Sequence, residues 1–143
     1  MEARNPKYRE FVEMGFARAG FSSGNGIRLL DCGPGWVMAE VKLEARHMQQ
    51  MGVAHGGLVA TLADHAAGGA AATLLPAEEI GVTAEIKLSY LRPARGERLE
   101  CRAAVIKPGR AVCFVEAEVF AIQDGKRELV AKASATMAVV LIN

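Results

Sequence analysis

Apolar residues recur along this chain with two different periods, and each period predicts one type of secondary structure. The first period is helical and places on one face of a helix Tyr8, Phe11, Val12, Phe16 and Ala19. We therefore predict an amphipathic N-terminal helix from Lys7 to Ala19. The stretch SSGNG that follows, from Ser22 to Gly26, is typical of a loop.

The second period is the alternation of apolar and polar residues that is typical of β-strands. It predicts two strands, Ile27 to Cys32 and Trp36 to Glu44, around the turn Gly33-Pro34-Gly35. The second strand separates apolar from charged side chains. Its apolar face holds Val37, Ala39, Val41 and Leu43, and its other face holds Glu40, Lys42 and Glu44.

A long apolar segment, GVAHGGLVATLADHAAGGAAATLLP, runs from Gly52 to Pro76. Its many Ala and Leu residues, its length and its lack of alternation predict a helix, which Pro76 would end. Gly68 and Gly69 each cost about 1 kcal/mol relative to Ala inside a helix. We therefore expect this pair to allow another part of the backbone to approach closely.

The rest of the chain alternates with period two. One face of the next strand would hold Val82, Ala84, Ile86, Leu88 and Tyr90, and the opposite face Thr83, Glu85, Lys87 and Ser89. The hairpin turns KPGR and DGK then separate three further strands, Leu99 to Lys107, Ala111 to Gln123 and Glu128 to Ile142. Short connections favour antiparallel neighbours. The elements predict a single α+β domain over residues 1–143, in which a curved antiparallel sheet wraps one central helix.

The composition narrows the class of protein. Hydrophobic residues make up 51% and charged residues 23% of the chain, which is typical of a globular domain. The net charge of +1 provides no broad attraction to nucleic acid or to a membrane, so we expect neither as a partner. The N-terminal MEARNPKYRE lacks the apolar core of a signal peptide, and the three cysteines show no paired spacing. We therefore expect a cytoplasmic protein with buried thiols and no metal site.

Backbone amides at the start of the long helix are candidates for binding a carbonyl oxygen. The first N–H groups of a helix have no partner inside it, and the helix dipole is positive there. Gly56 and Gly57 lie at this start and carry no side chain that would block a substrate. The N–H of Gly56 would stabilise a carbonyl oxygen as it becomes an oxyanion. The alternative is that both glycines only allow tight packing at a turn.

One carboxylate, Asp64, interrupts the apolar helix. Burying a carboxylate without partners is costly, so Asp64 either faces a cleft or is paired within the structure. In a cleft it would be placed to act as a general base, and the neighbouring helix faces offer no obvious charged partner. His65 is the next residue and points elsewhere on a helix, so we do not expect it to relay protons for Asp64.

The spacing of these residues bears on the assembly. Asp64 lies eight residues after Gly56, which on a helix is about 12 Å along the axis. A catalytic contact needs about 3 Å, so one carbonyl group cannot reach both residues of the same chain. If both serve one site, two such helices pack antiparallel around a two-fold axis. The small residues that would permit this approach are Ala63, Ala66, Ala67 and Gly68.

Two stretches carry a family resemblance. QQMGVAHGGLVATLAD, Gln49 to Asp64, and GVTAEIKLSYLRPAR, Gly81 to Arg95, are similar to the hotdog-fold acyl-CoA thioesterases, specifically the phenylacetate-degradation (PaaI-like) group. That family has an Asn, two residues, a Gly, two residues, His-Gly-Gly, six residues and an Asp. The resemblance implies the hotdog fold, with one long helix wrapped by an antiparallel sheet and with chains paired into homodimers and often tetramers.

The resemblance also implies roles for individual residues. Asp64 resembles the catalytic acid, which acts as general base or as nucleophile, and Gly56 resembles the oxyanion-hole donor. Thr83 falls where relatives carry a Ser or Thr that helps to orient water, and His55 resembles the motif histidine, which braces the loop. The chain departs from the pattern at Gln49, where the family has Asn. Glutamine keeps the amide donor but is longer.

The ends of an acyl-CoA substrate would need different surroundings. Its phosphates need positive charge. The candidate residues lie in or beside turns and are Arg92, Arg95, Lys107 and Arg110. The alternative is that each is only a solvated surface charge. The N-terminal helix would close the acyl pocket. Candidate lining residues, for which ordinary core packing is the commoner role, are Phe11, Phe16, Met48 and Met51.

The predicted function is hydrolysis of an acyl-CoA thioester to the free acid and CoA, without a cofactor. One alternative is a hotdog module that binds acyl-CoA without turnover. Gln49 keeps this alternative open, and the retained Asp64 argues against it. A second alternative is a hotdog dehydratase or hydratase. Such an enzyme needs a His and an acid paired for proton shuttling and a different helix-entry motif, which this chain does not show.

Overall fold

The computed structural model describes residues 1–143 and contains three α-helices and six β-strands. The helices are α1 (Tyr8–Arg18), α2 (Gly20–Gly24) and α3 (Gly56–Ala72), and a single 3-10 turn covers Ala45–His47. The strands are β1 (Ile27–Gly33), β2 (Trp36–Lys42), β3 (Glu79–Tyr90), β4 (Arg98–Pro108), β5 (Val112–Gln123) and β6 (Lys126–Leu141).

All six strands form one antiparallel sheet in the order β1-β2-β4-β5-β6-β3. Helix α3 packs across strands β2, β4, β5 and β3, and α1 packs against β1 and α3. One long helix wrapped by an antiparallel sheet is the hotdog arrangement, so the predicted α+β fold is confirmed. The sheet ends at β1 on one side and at β3 on the other, and β3 carries Thr83.

Helix α3 forms the centre of the core because its side chains are small and apolar. Its buried residues are Leu58, Val59, Leu62, Ala63, Ala66, Ala67, Ala70, Ala71 and Ala72. Beyond its end, the buried hydroxyl of Thr73 donates to the carbonyl of Ala70 and accepts from the amide of Gly35, each at 2.7 Å. This residue therefore joins the end of α3 to the turn between β1 and β2.

Four small residues were expected to let two copies of this helix approach each other, and this prediction is wrong for three of them. Ala63, Ala66 and Ala67 are at most 1% exposed, because they face the protein's own sheet. Gly68 alone stays partly accessible, on the same side of the helix as Asp64. The expectation that Gly68 and Gly69 admit another backbone is also wrong, because the nearest atoms around both belong to side chains. A Cβ atom on Gly69 would lie 3.1 Å from Phe16 and 3.2 Å from Val37, whereas one on Gly68 would meet only Met137, at 3.9 Å.

The loop predicted from Ser22 to Gly26 is wrong over its first half, because α2 extends from Gly20 to Gly24. Two features hold this short helix. The Asn25 side chain donates a 2.8 Å hydrogen bond to the carbonyl of Phe21, which satisfies one of the free carbonyls at the helix end. The Ser22 side chain is buried.

The predicted faces of β3 are also wrong at Val82 and Thr83. A β-bulge interrupts the pairing with β6, since Thr83 lies opposite Met137 while Glu85 lies opposite Thr136. Ala84 is the extra residue, and it reverses the alternation at this point. Thr83 consequently faces α3, and Val82 is 51% exposed. Beyond the bulge Ile86 and Leu88 share a face as predicted, and both pack against the core, whereas Tyr90 at the end of the strand is exposed.

No helix of the structure is long and apolar enough to cross a membrane. All three cysteines are buried free thiols, as expected from their spacing. Burial raises the pKa of the Cys101 thiol to about 12.

Candidate active site

Asp64 and Thr83 form the polar centre of the site. Asp64 lies half-buried in the middle of α3, and its Oδ1 accepts a 2.6 Å hydrogen bond from the hydroxyl of Thr83 on β3. None of the ion pairs in the chain involves Asp64. Its Oδ2 accepts no hydrogen bond from the protein. The carboxylate is therefore held at one oxygen and is free at the other to bind water or a substrate.

This carboxylate faces a cavity of about 210 Å³ between α1, α3 and β3. The lining residues are Phe11, Val12, Gly15, Phe16, Asp64, His65, Gly68, Gly69, Ala72, Ile80, Gly81 and Thr83. Helix α1 thus forms one wall, as the sequence suggested. Phe11 and Phe16 line the cavity, and Phe16 is also part of the buried core. Met48 and Met51 do not line it.

His65 lies along the same cavity as Asp64, which the sequence did not lead us to expect. Its ring packs edge-on against Phe16, with 4.3 Å between the ring centroids. Burial lowers the pKa of His65, and the charge of Asp64 opposes this shift. The neutral imidazole is therefore favoured. No hydrogen bond joins the side chains of His65 and Asp64, so the structure shows no proton relay between them.

The start of α3 presents one free amide. No acceptor within the chain binds the N–H of Gly56, whose carbonyl accepts a 2.7 Å hydrogen bond from the Tyr90 hydroxyl. The neighbouring amide of Gly57 donates to Nδ1 of His55 at 2.8 Å, so it is occupied. His55 is the N-cap of α3 and braces this loop. Of the two glycines, only Gly56 has an N–H without an acceptor in the chain.

Gln49 lies in the segment between the 3-10 turn and α3. Its carbonyl oxygen Oε1 accepts a hydrogen bond from the backbone amide of Met51, while its own backbone amide donates to the carbonyl of Val53. The Nε2 donor of Gln49 has no partner in the chain. Gln49 and Gly56 both line a second cavity, of about 370 Å³, together with Tyr90 and Arg92.

The two cavities share no lining residue. Gly56 is the first residue of α3 and Asp64 the ninth, so about 12 Å of helix separates them. The candidate residues of each chain therefore fall into two separate groups, Asp64 with Thr83 and Gly56 with Gln49, which we call half-sites. The structure does not bring these two half-sites together within one chain.

The four candidate phosphate-binding residues are all exposed and fall into two groups. Arg92 lines the Gly56 cavity and donates from Nη1 to the carbonyl of Leu129 at 2.8 Å, and Arg95 lies on the neighbouring surface beside Asp124. Lys107 and Arg110 lie at the opposite end of β4, about 30 Å away along the strand. One phosphate group cannot contact both groups in the same chain.

Sequence patterns missed the role of Tyr90. The alternation placed it only on one face of a strand, and the fold shows that its hydroxyl reaches the carbonyl of Gly56. Burial raises the pKa of Tyr90, so the phenol keeps its proton and donates this hydrogen bond.

Known proteins share this fold and part of this sequence. The family model of the thioesterase superfamily matches residues 51–128. Acyl-coenzyme A thioesterase 13 of Homo sapiens is 34% identical over 103 residues, which cover 70% of this chain and 71% of that protein. The chain therefore belongs to the thioesterase superfamily, and it is a thioester hydrolase.

Solved structures agree with this assignment. The crystal structure of a thioesterase family protein from Silicibacter pomeroyi superposes with a TM-score of 0.92 at 35% identity, covering 94% of this chain and 99% of that one. The phenylacetic acid degradation protein PaaI from Thermus thermophilus gives a TM-score of 0.71 at 30% identity, covering 82% of this chain and 96% of its own. The resemblance found in the sequence is confirmed.

Proposed function

We propose that this protein hydrolyses an acyl-CoA thioester to the free acid and CoA at a site built from the two half-sites of neighbouring chains. The observation that supports this proposal is that the Asp64 carboxylate and the Gly56 amide each have a free hydrogen-bonding position. Asp64 is oriented by Thr83 and has a free oxygen facing a cavity, and the N–H of Gly56 has no acceptor. An acyl-CoA substrate is favoured because relatives of this chain are named acyl-coenzyme A thioesterases.

In the proposed reaction the thioester carbonyl oxygen accepts a hydrogen bond from Gly56 N–H. The positive end of α3 stabilises the charge that develops on this oxygen. Acting as general base, Asp64 takes a proton from water while the water oxygen bonds to the carbonyl carbon. The carbon–sulfur bond then breaks, and the CoA thiolate leaves and receives the proton.

The same geometry serves the nucleophilic route. The free oxygen of Asp64 would attack the carbonyl carbon and release the thiolate, and water would then hydrolyse the resulting anhydride. In both routes Thr83 holds Oδ1 and so fixes the direction of the other oxygen. The free Nε2 of Gln49 is placed beside Gly56 to donate to the carbonyl or to water. In this proposal Gln49 takes the place of the Asn in the family pattern, because its amide keeps the same hydrogen-bond donor.

Of the two groups of basic residues, the one at the Gly56 half-site is the better placed to bind the phosphates of CoA. Arg92 lines its cavity and Arg95 lies beside it, so we place the phosphates against these two residues. Lys107 and Arg110 lie at the far end of β4 from these two residues, so in the same chain they do not join them at one phosphate group. Gly57 contributes by allowing the His55 cap, because a Cβ atom there would lie 3.0 Å from Nδ1 of His55.

The proposed assembly is a homodimer, or a dimer of dimers, acting in the cytoplasm. Strand β3 supports this proposal, since it is a twelve-residue edge strand with one unpaired side and it carries Thr83. Such an edge readily pairs with another strand. Pairing about a two-fold axis would complete two sites per dimer, with Gly56 of one protomer beside Asp64 of the other.

The test is thiol release from acetyl-, hexanoyl-, phenylacetyl- and palmitoyl-CoA by the wild type and by Asp64→Asn. We expect kcat to fall at least about 100-fold in Asp64→Asn, because the amide can neither accept the proton nor attack. Glu116→Gln, an equally isosteric change at an exposed residue that lines neither cavity nor the surface beside Arg95, is the control. Binding of acyl-CoA without release of thiol by the wild type would contradict the proposal and favour a binding module.

A further inference from the structure

The cavity beside Asp64 extends along α3 toward the end of the helix. It continues past Gly68 to Ala72, which follow Asp64 at intervals of four residues and so lie on the same side of the helix. Each interval adds about 6 Å along the axis. A thioester carbonyl held at Asp64 would therefore direct its acyl group into this space.

The lining of the cavity is polar only near the carboxylate. Asp64, His65 and Thr83 are its only polar side chains. Beyond them, α1 contributes Phe11 and Phe16, and the remaining lining is aliphatic or glycine. Burying an apolar group in this part of the cavity is favourable because its surface is removed from water. A charged group would find no partner there, so its burial would be costly. The lining thus favours an apolar acyl group.

The width of the cavity depends on Gly68. Packing accounts for Gly69, where a Cβ atom would lie 3.1 Å from Phe16, but it does not account for Gly68, where the nearest atom would be Met137 Cε at 3.9 Å. Glycine inside a helix is less favourable than alanine. Glycine at position 68 therefore makes the helix less stable than alanine would. It also leaves the cavity open one turn beyond Asp64.

We propose that Gly68 determines acyl specificity, and that the cavity takes a compact apolar acyl group such as one aromatic ring or a short aliphatic chain. This proposal rests on the function proposed above. The volume supports it, because an apolar cavity of about 150 Å³ in another protein holds one benzene molecule. At about 210 Å³ this cavity holds such a group with its linking carbon, whereas a long fatty-acyl chain would extend beyond it.

The experiment compares kcat/KM for acetyl-, hexanoyl-, phenylacetyl- and palmitoyl-CoA in the wild type and Gly68→Ala. We expect the wild type to prefer hexanoyl- or phenylacetyl-CoA over palmitoyl-CoA at least about tenfold. In Gly68→Ala we expect the ratio of hexanoyl to acetyl kcat/KM to fall about tenfold, as one methyl group in an apolar pocket commonly does. The melting temperature should not fall, because alanine favours the helix.

The matched control is Gly20→Ala, another helical glycine with no atom within 4 Å of an added Cβ, which does not line the cavity. It should leave the ratio unchanged. Preference of the wild type for palmitoyl-CoA, or an equal loss of all four activities in Gly68→Ala, would overturn the proposal.

A failure of the proposed function is distinguishable from a failure of this inference. If the wild type releases no thiol, calorimetric titration with S-hexyl-CoA, a thioether that cannot be hydrolysed, tests the cavity alone. Binding about tenfold weaker to Gly68→Ala than to Gly20→Ala supports the role of Gly68. Equal binding to the two variants overturns it.

Discussion

The hydroxyl of Thr83 donates a 2.6 Å hydrogen bond to Oδ1 of Asp64, across the boundary between the edge strand and the central helix. The bulge at Ala84 makes this contact possible, because it turns Thr83 toward the helix. One oxygen of the acid is thereby fixed and the other is left facing the cavity. The contact belongs to the sheet edge, so it links the geometry of the site to the edge at which a second chain would pair.

Replacing Thr83 tests whether this hydrogen bond orients the acid. We expect Thr83→Val to lower kcat between about 10-fold and 100-fold, since a hydrogen bond to a charged group contributes about 1.5–3 kcal/mol. Thr83→Ser keeps the hydroxyl and should retain most of the activity. Steady-state kinetics with the preferred acyl-CoA measures both. Equal loss in the two variants would show that the methyl group matters and the hydrogen bond does not.

Replacing Gly56 tests the oxyanion donor. Proline removes the N–H at the first position of a helix, where it is well tolerated. The preceding residue, His55, has φ −59° and ψ 136°, which is the conformation that a residue before proline prefers. We expect Gly56→Pro to lower kcat at least about 100-fold.

The matched control for that variant is Gly56→Ala. It places a Cβ atom at the same position, 3.2 Å from the Tyr90 ring, but keeps the N–H. It should lose far less activity than Gly56→Pro. If alanine and proline are equally damaging, crowding against Tyr90 explains the loss and the amide has no role in the reaction.

Mixing two inactive variants tests whether a site is shared between chains. Asp64→Asn and Gly56→Pro each damage every site of their own homodimers. In a mixed dimer one site receives an intact Asp64 and an intact Gly56, from different protomers. After equal amounts are mixed and the subunits exchange, we expect about one quarter of the wild-type activity. Ultracentrifugation verifies that dimers are present. No recovery in exchanged dimers would place both residues in sites of a single chain.

Burial of His65 makes stability depend on pH. Burial lowers the pKa of this histidine below its ordinary value of 6.5, so the unfolded chain binds a proton more readily than the folded chain. Stability is therefore fully present above pH 6.5 and declines as the pH falls from 6.5 through the lower pKa of the folded state.

We expect the midpoint of urea unfolding to decrease more between pH 7.5 and pH 5 in the wild type than in His65→Gln, which cannot gain this proton. Both proteins are measured at the same ionic strength. An identical decrease in the two proteins would assign the pH dependence to other groups.

Much of the fold follows from local patterns. The helical period at α1, the long run rich in alanine and leucine at α3 and the alternation in the strands each reflect geometry within a few residues. Gly56 and Asp64 are separated along one helix in the structure as their spacing predicted. The helix start at Gly56 also followed from the sequence, because the unpaired amides of a first turn are a property of every helix.

Faces and neighbours, by contrast, were decided by the tertiary structure. Thr83 turns inward because the pairing of β3 with β6 contains a bulge, and no pattern within β3 reveals that register. Ala63, Ala66 and Ala67 face the sheet, which leaves Gly68 as the small residue beside Asp64. His65 shares the cavity of Asp64 because α1 packs over both residues. Periodicity depends on short-range backbone geometry, whereas these contacts join residues far apart in the chain and exist only once the sheet has closed around the helix.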